Sequence, residues 1–307
     1  MSARTPRNLP ASVRQRLLNL AHQRREDFNA LLVQYAIERF LYRLAKSDFA
    51  DRFILKGAML FRVWANDLHR PTRDLDLLGS GEPTPQAVAS TVRRILHTQV
   101  EDDGIVFDLD TVRAEEIREG QEYGGVRVNF QAKLDTIMIT LQVDVGFGDA
   151  VVPGVKNEDF PTLLEFTAPT LRLYPPESVI AEKLHALTVL GIANSRMKDF
   201  YDLLALSRRF RFEGPTLVQA IQATFDCRKT PLPSEAPTGL TNEFAARPDK
   251  QVQWAAFLNR LQINDVSNVL EQIVITLHGF LLPPLRAAVT GDPFADGWPP
   301  GGPWSVC

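Results

Sequence analysis

Three aspartates carry the first chemical signal. Asp74 and Asp76 lie two apart in Arg70-Pro-Thr-Arg-Asp-Leu-Asp-Leu-Leu78-Gly. Alternation with leucine and the closing glycine predict a strand, so both carboxylates face one side. Neighbouring carboxylates repel each other unless a proton or a cation joins them. Hard oxygens suit Mg²⁺, which binds through one or two carboxylates plus substrate phosphates; Mn²⁺ accepts the same donors. Asp144 sits in the apolar run Leu141-Gln-Val-Asp-Val145 just before a glycine. If that strand pairs beside the first, Asp74, Asp76 and Asp144 form a three-carboxylate cradle. Two metals about 3.5–4 Å apart would there clamp the attacking and leaving oxygens of an in-line phosphoryl displacement. A second pair, Asp108-Leu-Asp110, has the same spacing but no glycine–helix element ahead of it. It reads as an exposed strand face or a turn.

Upstream of the first pair, the apolar run Phe53-Ile-Leu-Lys-Gly57 leads into a helical segment, Ala58-Met-Leu-Phe-Arg-Val-Trp64. Backbone N–H groups at a helix start bind phosphate, and glycine lets a ligand come close to the backbone. Lys56, Gly57 and Ala58 therefore read as a phosphate-binding turn, followed by one helix and then the acidic strand. Arg70 and Arg73 flank the acids, either as phosphate contacts or as plain counter-charges.

The elements that must hold these groups follow from periodicity. Helices are expected from Asn8 onward with a cap at Ser12, from about Glu26 to Ala45, and from Pro83 to His97. Strands are expected at Gly104–Asp110, Gly125–Lys133 and Ile137–Val145, with a hairpin turn at Leu134-Asp-Thr136. From Pro175-Pro176 the pattern turns helical: Glu177–Val189, Ser195–Arg209, Pro215–Phe225, and Trp254–Leu282 with a break. The organisation is α+β: an α/β part over 1–170, a helical domain over 171–285, and a Pro/Gly-rich tail over 286–307 that should be extended or loosely ordered. Arg196, Asp199 and Asp202 are spaced by three and share a helix face, which by spacing alone is a salt-bridge stripe. Lys183 lies beside an apolar stripe, the position of a surface lysine with a buried stem.

Composition sets the class. The chain has 307 residues, 34 basic and 37 acidic, for a net charge of −3. This argues against a simple nucleic-acid coat protein. Residues 1–73 hold 14 Lys/Arg against 6 Asp/Glu, so the basic charge is gathered ahead of the acidic site, where it would steer a polyanion. No window is read as long and apolar enough to cross a bilayer, and no secretory leader is read. Cys227 and Cys307 make neither a disulfide framework nor a zinc site. A reducing cytoplasm and no membrane partner are expected.

Together, Leu55-Lys-Gly-Ala-Met-Leu60, Arg70-Pro-Thr-Arg-Asp-Leu-Asp76, Asp144, Tyr174-Pro-Pro-Glu-Ser-Val-Ile-Ala-Glu-Lys-Leu-His-Ala186 and Arg196-Met-Lys-Asp-Phe-Tyr-Asp202 resemble the minimal nucleotidyltransferases of the polymerase-β type. More closely they are similar to the AbiEii family of toxins, which includes the MenT toxins. The resemblance implies a nucleotidyltransferase core of mixed β-sheet flanked by helices, with a C-terminal helical domain. It implies Mg²⁺-dependent transfer of a nucleoside monophosphate from an NTP to an RNA acceptor, the tRNA 3′ end in MenT toxins, with release of pyrophosphate. A cognate antitoxin is implied as partner. Lys183 would hold the triphosphate. Asp199 would orient Lys183 or take the acceptor proton, and Arg196 and Lys198 would contact phosphate. One departure stands out: where the family turn usually has a second Gly or a Ser, this chain has Ala58, which removes any hydroxyl contact there. Competing readings keep the enzyme class with a small-molecule or protein hydroxyl as acceptor, or reduce the chain to an inactive nucleotide-binding module.

Overall fold

A computed structural model describes residues 8–65, 70, 72, 74–117 and 124–306. The chain divides into two compact units: residues 1–148 with 156–174, and residues 149–155 with 175–307. The sequence boundary at 170/171 falls inside a strand of the first unit, and that at 285/286 falls inside a helix of the second.

The first unit opens with α1 (Leu9–Arg24) and α2 (Phe28–Lys46). The α1 cap is Asn8, whose side chain accepts from the Ala11 N–H, and not the expected Ser12. Pro10 sits in the first turn, where its missing N–H costs nothing, so the helix starts earlier than its apolar stripe. Next come β1 (Phe53–Lys56), a 3₁₀ turn over Gly57–Met59, α3 (Leu60–Ala65), β2 (Asp74–Gly79) and α4 (Pro85–Leu96). Then follow β3 (Ile105–Ile117), β4 (Gly125–Leu134), β5 (Ile137–Phe147), β6 (Lys156–Asp159) and β7 (Thr170–Leu173).

These strands form one mixed sheet in the order β3-β4-β5-β2-β1-β7-β6. Asp135 and Thr136 make the two-residue turn between β4 and β5; Asp135 takes φ 55°, the left-handed conformation such turns need and Asp tolerates. One face is apolar. Leu75, Leu77, Val126, Val128, Val143 and Val145 are at most 2% exposed there. α2 and α4 pack against the sheet.

A largely buried polar network ties α2 to the segments before β3 and β7. The Glu38 carboxylate accepts the Leu163 N–H at 2.7 Å, Arg39 donates to the Thr167 carbonyl at 3.0 Å, and Arg43 forks onto Asp103 at 2.7 and 3.1 Å. Burial pushes the Glu38 carboxyl up from its ordinary 4.5 to about 7, against the Leu163 N–H and the Arg39 charge that favour its ionised form.

The second unit is mainly helical: α5 (Pro176–Leu190), α6 (Met197–Arg209), a short strand β8 (Phe212–Glu213), α7 (Gly214–Cys227), α8 (Asn242–Ala245), α9 (Pro248–Leu261) and α10 (Leu270–Thr290). α10 is long and apolar enough to cross a bilayer by composition, contrary to the expectation from sequence. Its apolar residues Leu270, Ile273, Val274, Leu277, Phe280 and Leu281 are at most 1% exposed, so it is a core helix within this unit.

The Pro/Gly-rich tail is not loose. β9 (Asp296–Trp298) and β10 (Ser305–Val306) join β8 in a small sheet. The Trp298 indole donates to the Ser207 carbonyl at 2.7 Å, Trp304 donates to the Phe280 carbonyl at 2.9 Å, and both rings pack on Phe280. Aromatic anchoring overrides the local preference of Gly and Pro for open coil.

Candidate active site

In the first unit, strand register brings charged groups into a line. β1 and β2 run antiparallel with Lys56 opposite Asp76; β2 and β5 run parallel with Asp76 beside Asp144. On the next strands, Asp144 pairs with Arg127 of β4, and Arg127 with Glu115 of β3. Directly paired residues share a face, so Lys56, Asp76, Asp144, Arg127 and Glu115 form one row across five strands. Asp74 lies two residues before Asp76 on the same face, opposite Gln142. The predicted pairing of the Asp144 strand with the Asp74–Asp76 strand is therefore present.

The side chains modify this picture. Arg127 holds Asp144 in a fork, Nε to Oδ1 at 2.9 Å and Nη2 to Oδ2 at 2.8 Å. Gln142 Nε2 stands 3.4 Å from both oxygens. The hydrogen bonds to Asp144 hold the Arg127 guanidinium above its ordinary range; partial burial opposes this, and the charges of Asp144, Asp74 and Glu115 reinforce it. Among the described residues, no three His, Cys, Asp or Glu side chains converge closely enough to hold a metal. The carboxylates of Asp74, Asp76 and Asp144 are the donors a hard divalent cation takes and the register puts them on one face, while Arg127 occupies both oxygens of Asp144. Arg127 escaped sequence reasoning because its partner is set by register alone.

Gly57 has a reason within the sheet itself. Its φ is 73°, and a Cβ there would lie 2.0 Å from Asp76 Oδ2. The glycine makes room for the Asp76 carboxylate. The segment that follows opens with a 3₁₀ turn over Gly57–Met59 before α3 starts at Leu60, so the α-helix begins three residues beyond Gly57. Lys56 lies over the Tyr174 ring, its Nζ 5.1 Å from the centroid. Lys56, Gly57 and Ala58 are all half-exposed, as is Arg70. Arg73 lies outside the described residues. Asp108 and Asp110 are exposed where the β3–β4 register shifts, and Asp108 accepts the Asp110 N–H at 3.0 Å, a turn-like contact in line with the sequence reading.

In the second unit a separate cluster forms around Lys183 of α5. Lys183 Nζ donates to Asp199 Oδ1 at 2.7 Å and to Asp202 Oδ2 at 2.8 Å, both on α6. Arg196, at the start of α6, donates to Asp199 Oδ2 at 2.7 Å. Asp199 and Asp202 are at most 1% exposed. Burial alone would raise the Asp199 carboxyl, but Lys183 and Arg196 outweigh it and hold the group below the usual range. Spacing predicted Arg196–Asp199; the double engagement of Lys183 is a tertiary contact. Lys198 is exposed. His185 is buried, bonded to Thr230 at 2.9 Å; burial and Arg228 push it down to about 4, so it is a packed neutral histidine.

A family model described as the nucleotidyl transferase AbiEii toxin of type IV toxin–antitoxin systems matches residues 39–276. Among solved structures, a Helicobacter pylori protein described as a nucleotidyltransferase aligns with a TM-score of 0.44 and 17% identity over 84% of this chain and 97% of its own. JHP933 of Helicobacter pylori aligns with the same score and identity, over 84% and 94%. No curated protein matches the chain.

Proposed function

Since the chain belongs to the AbiEii family of nucleotidyltransferase toxins, we propose that it transfers a nucleoside monophosphate from an NTP to an RNA hydroxyl, with the tRNA 3′ end as acceptor. The acceptor oxygen forms a bond to the α-phosphorus, the bond from that phosphorus to the bridging oxygen breaks, and pyrophosphate leaves with the electron pair. The observation that carries this reading is the register of Asp76 beside Asp144, which sets three acids on one sheet face beside Lys56. Asp74, Asp76 and Asp144 would hold Mg²⁺, or Mn²⁺ in its place. The metal supplies Lewis-acid charge that screens the phosphates and lowers the cost of charge developing at the transferred group.

The chain's own residues divide the remaining work. Lys56 offers a cation to phosphate oxygens beside the acids, and Arg70 and Arg73, just ahead of Asp74 in sequence, would take the same role. Lys183 and Arg196 offer two more in the helical unit. Asp199 positions both: its two oxygens are bonded one to each, which fixes the lysine ammonium and the guanidinium relative to each other. Lys198 offers a further exposed cation. Family membership brings a cognate antitoxin as partner. We place the activity in the cytoplasm, where NTPs, tRNA and antitoxin are all available.

The test is incubation with each labelled NTP and tRNA, alongside total RNA, protein and a small-molecule panel, with Asp76→Ala as control. Label entering tRNA only with the wild-type protein supports the reading. Label entering protein or a small molecule instead moves the acceptor, and no nucleotide binding at millimolar NTP reduces the chain to an inert module.

A further inference from the structure

The arginine fork on Asp144 bears on how the acidic face takes up a cation. Both carboxylate oxygens of Asp144 are engaged by Arg127, at 2.9 and 2.8 Å. A divalent ion that takes Asp144 as ligand must therefore compete with a bidentate, charge-assisted pair, and it also meets a positive charge one strand away. The guanidinium has a second place to go. Glu115 is its direct neighbour on β3, exposed, and adds its charge to the field at Arg127. Arg127 is itself 36% exposed in its side chain, so a turn of its guanidinium would not open the core. A planar fork that matches a carboxylate also matches a phosphate. One residue thus has three possible anionic partners: Asp144, Glu115, and a nucleotide phosphate brought to the same face.

We propose that Arg127 is a gate on the third carboxylate, which competes with divalent metal for Asp144 and hands Asp144 over when its guanidinium passes to a phosphate of the incoming NTP. The proposal rests on the nucleotidyltransferase reading above. It makes metal and nucleotide load together, because each removes an obstacle to the other: phosphate draws off the arginine, and metal takes the freed acid. Arg127 is in this sense a positioning residue for Asp144 and a binding residue for nucleotide.

Mn²⁺ binding to the full-length protein, read from the electron paramagnetic resonance signal of free Mn²⁺, tests it without relying on turnover. Arg127→Gln should bind Mn²⁺ about tenfold more tightly than wild type, the worth of one charge-assisted pair. Arg127→Lys, which keeps the charge and loses the fork, should fall between them. Adding Asp144→Asn to Arg127→Gln should cancel the gain. In the transfer assay Arg127→Gln should need less free Mg²⁺ while its KM for NTP rises. Unchanged or weaker Mn²⁺ affinity in Arg127→Gln overturns the gate, and tighter Mn²⁺ with unchanged KM for NTP overturns the hand-over to phosphate. Circular dichroism reports whether Arg127→Gln folds; if it does not, Arg127→Lys decides, with wild-type Mn²⁺ affinity counting against the gate. Asp76→Asn separates this from the parent reading. If Asp76→Asn binds Mn²⁺ and transfers label like wild type, the acidic face is not the metal site at all; if it loses both while Arg127→Gln binds like wild type, only the gate falls.

Discussion

The two charge clusters use the same chemistry in opposite surroundings. On the sheet, Asp74 is exposed, Asp144 is 18% exposed and its partner Arg127 36%. Around Lys183, the two aspartates are 1% exposed and the lysine 15%. Water near the sheet row lowers the cost of changing partners, so those charges can be exchanged for a ligand. Inside the helical unit the two buried aspartates have no water to take a lost partner's place, although Lys183 holds both of them and Arg196 is 40% exposed. The sheet cluster is built to be rearranged, and the helical cluster to be kept.

The sharpest test of that contrast is Asp76→Asn. It should lower transfer by at least about a thousandfold, the several kcal/mol a metal site supplies, with no loss of stability because it relieves repulsion between neighbouring acids. Labelled NMP transfer and urea unfolding measure the two halves. A variant that is both inactive and unstable would erase the distinction. Asp199→Ala should do the reverse in kind. Removing the carboxylate that Lys183 and Arg196 share should cost roughly 1–3 kcal/mol in denaturant unfolding, since Lys183 keeps Asp202 and Arg196 is 40% exposed. Because its folded carboxyl is depressed, the stability Asp199 contributes is whole above the ordinary carboxylate range and is lost as pH falls through its lowered value.

Glu38 sharpens the comparison from the first unit, since it is as dry as Asp199 but is shifted the other way. Its raised carboxyl makes the linked stability whole below about 4.5 and lost as pH climbs through about 7. Glu38→Gln should therefore flatten the pH dependence of unfolding across that window, by an amount on the order of a few kcal/mol. The smallest effect belongs to the second Asp-x-Asp. Asp108→Asn with Asp110→Asn should leave both transfer and stability at wild-type values; a loss of transfer would show that strand acids matter here without a paired neighbour.

What sequence made legible was what local pattern controls. The Asp74–Asp76 alternation, the two-residue turn at Asp135 and the helical stripe of α5 each follow from period and turn chemistry, and each stands in the fold. What it left hidden depends on pairing between distant segments. Arg127 looks like any strand arginine until β4 is set against β5. Gly57 reads as space for a ligand, and only when β1 is set against β2 does it also read as room for the Asp76 carboxylate. The edge strand β6 and its neighbour β7, four residues each, are too short to signal themselves. The tail misled for the opposite reason: its Gly and Pro residues report local flexibility, while Trp298 and Trp304 act only once Ser207 and Phe280 are in place.

That tail has a consequence for the order in which the helical unit assembles. Trp298 meets the carbonyl of Ser207 across 91 residues of chain, at the end of the same helix whose first turn carries Asp199. Contacts of such long range close late, since the loop entropy is lost before any contact is gained. A fragment that stops before Asp296 would hold every charged residue of the Lys183 cluster, yet leave Phe212 and Phe280 uncovered on one side. Aggregation of that fragment, with the intact chain remaining in solution, is what such an order of events would produce.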